Sequence, residues 1–190
     1  MPKPVKVSRD GETRAKFRVF ICGTVEAVWD EITRTDAPIP AFFNSQMDVR
    51  RLAPGAKLAM RSPDGKWTGV VGEILEVEKP RRFAHTFRFT GLDDPECKVL
   101  YELEPVDGGV EFTLTISDLP PGTKTAKQML QGGVMICGTL KRVIETGRPG
   151  AGTRMLFGLF KLLAPLTPKR SRSEHWPLEG SSMAAGEVGR

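Results

Sequence analysis

From residue 47 to residue 117 the sequence is a succession of strand-length segments separated by compact turn chemistry, with no intervening long helix. Strands are expected near 47–52, 56–62, 67–77, 82–90, 97–104 and 109–117. The separators are Ala53-Pro54-Gly55, Pro63-Asp64-Gly65, Lys79-Pro80, Asp93-Asp94-Pro95 and Asp107-Gly108-Gly109. Strands joined by such short turns pair antiparallel, because a parallel pair needs a long crossover. An earlier segment, residues 13–21, alternates in the same way. Ala15, Phe17, Val19 and Ile21 share one face, with Arg14, Lys16 and Arg18 opposite. Seven strands are therefore expected.

The meander has one greasy face. Phe83, His85, Phe87 and Phe89 fall together in one strand, Cys97, Val99, Tyr101 and Leu103 in the next, and Val110, Phe112, Leu114 and Ile116 in the last. Something must cover it. The periodicity predicts a helix over 122–146, with Met129, Gly133, Ile136, Leu140 and Val143 or Ile144 on its apolar stripe. Its solvated face would hold Lys124, Lys127, Gln131, Lys141, Arg142 and Glu145, and Gly147 and Pro149 would end it. Gly132-Gly133 inside it costs about 1 kcal/mol per Gly relative to Ala. Close backbone approach to the sheet or to the short helices would offset that. Those short helices lie between the first two strands: Val25–Thr33 capped by Thr24, and a second over 41–44 behind Pro38 and Pro40. The fold class is thus α+β: a curved antiparallel sheet wrapped around one long helix, with room for an internal cavity.

The order resembles the helix-grip fold of birch-pollen-allergen-like and START-like domains. Within that SRPBCC superfamily the chain is similar to proteins related to the C-terminal domain of the activator of heat-shock protein 90 ATPase. The carrying residues are Val25 to Thr33, Pro54 to Leu58, Gly72 to Phe83, and Gly132 to Gly147. Two departures stand out. One proline, Pro80, stands where the family commonly has two. Gly133-Val134 stands where it commonly has Gly-Trp, and loss of that ring is expected to enlarge or reshape the cavity. The resemblance implies a ligand carrier, a cyclase or hydrolase, or a co-chaperone module, because one scaffold hosts all of these. The additional N-terminal domain of a full activator is not read in this sequence, which lowers the co-chaperone expectation.

The candidate ligand-binding residues are His85, Phe87, Tyr101, Trp67, Trp29, Met129, Phe83 and Phe112. His85 is a polar group among apolar walls, fit to orient a ligand or move a proton. A histidine bonded to a side chain of a neighbouring strand, or a strand whose outer face is the aromatic one, is the stronger reading. Tyr101 offers one hydroxyl on an apolar face. Trp67 begins a strand beside Asp64-Gly65, at the expected cavity mouth. Trp29 and Met129 fit core packing as well as ligand contact. Glu73 shares strand parity with apolar residues, but a solvated strand glutamate is the stronger reading, and Arg61 and Glu102 are weaker candidates. No nucleophile elbow, phosphate loop or zinc motif is present. The expectation is a protein that binds a hydrophobic or amphipathic small molecule in its internal cavity, without a cofactor or metal, as a carrier rather than an enzyme. An acid/base role for His85 is the alternative.

Charge is the last constraint. Of the net +5, residues 148–190 carry seven basic and three acidic groups, so the body is almost neutral. Cys22, Cys97 and Cys137 form neither a disulfide framework nor a metal signature. The first residues lack the apolar core of a signal peptide, so a cytoplasmic protein is expected. The domain organisation reads as a flexible 1–12, a helix-grip domain 13–147, an apolar-then-basic extension 148–178 and a disordered tail 179–190. In the extension, residues 154–166 read as a helix exposing Leu156, Phe157, Leu159, Phe160 and Leu163. Three partners compete for it: its own body, a second chain in a homodimer, or a peripheral membrane surface. Its length is far below the roughly 20 residues that span a bilayer. Nucleic acid is not expected, for want of an aromatic stacking surface.

Overall fold

The computed structural model describes residues 5–163 and 167–178. Eight strands form one antiparallel sheet: β1 Lys6–Asp10, β2 Arg14–Ile21, β3 Gln46–Val49, β4 Lys57–Arg61, β5 Thr68–Glu78, β6 Arg82–Phe89, β7 Cys97–Val106 and β8 Gly109–Ser117. Their spatial order is β1-β2-β8-β7-β6-β5-β4-β3. The meander β3 to β8 thus ends beside β2. Helix α1 (Val25–Thr33) and a 3-10 turn at Pro40–Phe42 carry the chain to the far edge. Helix α2 (Lys124–Thr146) lies on the inner face, and α3 (Ala151–Leu163) follows it.

The extra strand, β1, falls in the segment expected to be flexible. It pairs with β2 from Lys6↔Arg18 to Asp10↔Arg14, across a turn where Gly11 has φ +63°. All five of its residues are exposed. It is an edge strand held by its main chain, so its sequence carries no alternation to read.

Both helices start behind a threonine cap, of which only Thr24 is expected from the sequence, and α2 begins two residues later than its expected 122. Thr24 accepts from the Ala27 amide at 3.1 Å, and Thr123 accepts from the Ala126 amide at 3.1 Å. Helix α2 ends where Gly147, at φ +74°, donates to the Val143 carbonyl at 2.8 Å. Its glycine pair meets two surfaces. A Cβ on Gly133 would lie 2.5–2.7 Å from ring carbons of Phe17 on β2, and one on Gly132 would lie 3.4 Å from Phe43. The helix can therefore approach both the sheet and the Pro40–Phe42 turn closely.

Two expectations for α2 are corrected. Val134 is 44% exposed, so the position where the family commonly carries a ring faces solvent and does not shape an interior. Lys141 is buried rather than solvated. Its ammonium donates to the Phe20 carbonyl at 2.7 Å and pairs with Glu145, whose carboxylate also accepts from the Cys22 amide at 2.8 Å. These groups fasten the last turns of α2 to the end of β2.

The outer face of the sheet is crossed by residues 167–178, a strap. The main chains of Trp67 and Arg172 bridge, and the Ser173 amide donates to the Lys66 carbonyl at 3.0 Å. Under the strap, Arg61 is buried. It donates to Asp48 at 2.6 Å, to Thr68 at 2.7 Å and to the Trp176 carbonyl at 2.9 Å. Arg170 forms a two-pronged pair with Asp93 at 2.9 and 2.6 Å and also donates to the Thr90 carbonyl. Much of the basic cluster that follows α3 is therefore spent on the body itself. The expected disordered tail, 179–190, lies outside the described residues.

Candidate functional site

Strand alternation brings five aromatic rings to the inner face, and a turn adds a sixth. Phe83 and His85 lie 5.4 Å apart between ring centroids, Phe83 and Tyr101 5.8 Å, His85 and Tyr101 5.9 Å, and Tyr101 and Phe112 6.1 Å. Phe87 continues the row 6.4 Å from His85. Antiparallel register explains the row, since Phe83 faces Tyr101 across β6 and β7, and Phe112 is one step along on β8. The sixth ring is Phe42, 5.5 Å from Tyr101. The sequence pattern does not single it out. Its signal is the Pro38–Pro40 bracket, which fixes the turn but not the ring's target. Met129 and Trp29 are buried in the same core cluster.

His85 is the group whose chemistry is incomplete. Only 1% of it is exposed. Its Nδ1 lies 2.7 Å from the Thr86 carbonyl oxygen, which can only accept, so Nδ1 carries the proton. Close packing of β5 on β6 sets this up. A Cβ on Gly72 would lie 1.9 Å from the Thr86 oxygen, so only glycine permits the approach. Burial depresses the His85 pKa from 6.5 to about 4, against a smaller upward pull from the Thr86 carbonyl. The ring is thus neutral, and Nε2 is a bare acceptor. It is buried and has no hydrogen-bond partner among the described residues.

Tyr101 stands beside it with the complementary group. The phenol is buried and its hydroxyl has no hydrogen-bond partner among the described residues. Burial pushes its pKa up, as do the nearby thiols of Cys137 and Cys97 if ionised, so it remains a donor. Burial likewise raises both thiols to about 12, which keeps them protonated and unreactive. An acceptor and a donor therefore share one apolar wall.

The other candidates are placed elsewhere. Trp67 lies against the strap, with the Arg172 guanidinium 5.9 Å from its ring. Glu73 is on the outer face, paired with Lys57. Arg61 is the buried partner of Asp48, and Glu102 pairs with Arg82 at 2.7 Å. A cleft of about 490 Å³ lies between the strap and the outer face, bordered by Lys57, Glu73, Arg88 and Trp176. None of the residues expected to bind ligand lines it. Helix α3 exposes Leu159 and Leu163, leaves Leu156 and Phe157 half-buried, and the Phe160 side chain lies outside what is described.

Comparison with known proteins follows the same lines. The model of the family described as "Activator of Hsp90 ATPase homolog 1-like protein" matches residues 23–145. The chain belongs to that family. No curated protein sequence matches it. Among solved structures, CalU16 from Micromonospora echinospora is 18% identical, with TM-score 0.60 over 85% of this chain and 96% of that one. An HSP90 activator from Plasmodium falciparum is 17% identical, with TM-score 0.57 over 72% and 98%. A protein of the dynemicin biosynthetic locus, DynU16, is 23% identical, with TM-score 0.57 over 72% and 49%. At these identities the likeness establishes the helix-grip fold.

Proposed function

We propose that this family member binds an apolar small molecule carrying a hydroxyl-type group, seated between α2 and the inner face of the sheet. The observation that carries this reading is the buried His85 Nε2 acceptor, which has no partner among the described residues, on an aromatic wall that also carries the Tyr101 hydroxyl. A buried polar atom without a partner costs about 1–3 kcal/mol. A hydroxyl donates to the bare Nε2 and can also accept, so it suits a wall that carries an acceptor and a donor. The apolar remainder of the ligand would contribute about 25 cal/mol per Å² buried, less the costs of association.

The same geometry disfavours acid/base chemistry. A histidine with a pKa of about 4 is a weak base at neutral pH. A co-chaperone role rests on the family match alone. It predicts partner binding that persists when His85 and Tyr101 are replaced by Leu and Phe.

Titration calorimetry with a matched ligand pair tests the proposal: an alkylphenol against the alkylbenzene of the same chain length. The phenol should bind at least about tenfold more tightly, the worth of one satisfied buried hydrogen bond. His85→Leu and Tyr101→Phe should each reduce that preference. Equal affinity for the pair, or no binding of either, contradicts it.

A further inference from the structure

Helix α3 is apolar and outward-facing. Met155 and Leu162 are 78% and 75% exposed, and Leu159 and Leu163 are exposed as well. Their spacing of four, seven and eight residues puts them on one stripe. Leu156 and Phe157 are half-buried, so the helix rests one side on the body and turns the stripe away from it. No described side chain of α3 is buried. Such a stripe needs an occupant.

Charge decides which. From residue 146 to residue 173 the chain has six Lys or Arg residues and no Asp or Glu. Arg170 is neutralised by Asp93, and Arg172 is turned toward Trp67 and Glu174. Arg148, Arg154 and Lys169 are exposed, and among the described residues none of them has a carboxylate partner. The stripe is therefore flanked by uncompensated cations. A second copy related by two-fold symmetry would bring the same cations rim to rim. An anionic lipid surface offers both an apolar interior and the opposite charge. Thirteen helical residues reach only about 20 Å, too short to cross a bilayer.

We propose that α3 is an interfacial helix that seats the protein on an anionic lipid bilayer through Met155, Leu159, Leu162 and Leu163, with Arg148, Arg154 and Lys169 near the headgroups. The stripe is already exposed on the folded protein, so docking needs no unfolding of the sheet.

Vesicle flotation of the full chain tests this. Phosphatidylcholine vesicles are compared with vesicles of phosphatidylcholine and phosphatidylserine. Association should be at least about tenfold stronger with phosphatidylserine and should weaken with added salt. The paired substitutions Met155→Asp with Leu162→Asp, and Arg148→Glu with Arg154→Glu, should each lower it at least about tenfold. All four positions are exposed, and an unchanged urea midpoint confirms folding. Indifference to phosphatidylserine, absence of binding, or wild-type binding by either pair overturns the proposal. So does a dimer in sedimentation velocity that the Met155→Asp, Leu162→Asp pair dissolves in a protein that ignores vesicles.

Discussion

At the scale of single residues, His85 links burial to pH. Its pKa is about 4 when folded and 6.5 in the unfolded chain. Below pH 6.5 the unfolded state takes up a proton that the folded state refuses. Stability from this group is therefore complete above pH 6.5 and is lost as pH falls toward 4. The slope is about 1.4 kcal/mol per pH unit, roughly 3 kcal/mol in all. Urea unfolding at pH 7 and pH 5 should show a loss of roughly 2 kcal/mol in the wild-type protein. His85→Leu should remove most of that difference. The placement of His85 is legible in the sequence, because strict alternation with Phe83, Phe87 and Phe89 fixes its face. Its unanswered Nε2 is not. That depends on Gly72 bringing β5 against β6, a contact between strands. Phe42 is hidden for the same reason, since its neighbour Tyr101 is far away in sequence.

At the scale of elements, α2 shows how packing overrides propensity. An alanine at Gly133 would gain about 1 kcal/mol of helix propensity. It would also press on the Phe17 ring at 2.5 Å, and overpacking of that kind costs about 1–3 kcal/mol. Gly133→Ala should therefore destabilise the protein by about 1 kcal/mol. Gly138 sits in the same helix, and a methyl group added there would meet nothing within 4 Å, so Gly138→Ala should stabilise by up to about 1 kcal/mol. Thermal or urea unfolding of the two variants should give opposite signs. The glycine pair's need for close approach is readable from its cost. The burial of Lys141 is not, because a charged residue on a helix reads as solvated until its partner carbonyl, that of Phe20, is in view. The strap is equally hidden. Its apolar content is small, and Trp176 is the one ring in it that asks for cover.

At the scale of the molecule, the sheet is fastened on both faces: inside by α2 and outside by the strap. The outer fastening centres on Arg61, which ties Asp48 and Thr68 to the Trp176 carbonyl. Arg61→Ala should cost about 3 kcal/mol, the usual penalty for removing one member of a buried pair. It should also speed proteolysis within 167–178, seen as early cleavage by mass spectrometry. The inner face keeps the aromatic row, with the unpartnered His85 Nε2 and the Tyr101 hydroxyl on it. This is the arrangement from which ligand binding is proposed. Nitrogen-15 NMR of the His85 imidazole, titrated with the alkylphenol, tests it most directly. The account predicts a neutral ring protonated at Nδ1, uncharged down to a pH of about 4, whose Nε2 resonance moves as the phenol saturates the site. A ring protonated at Nε2 instead, or an Nε2 resonance unchanged by saturating phenol, would contradict it.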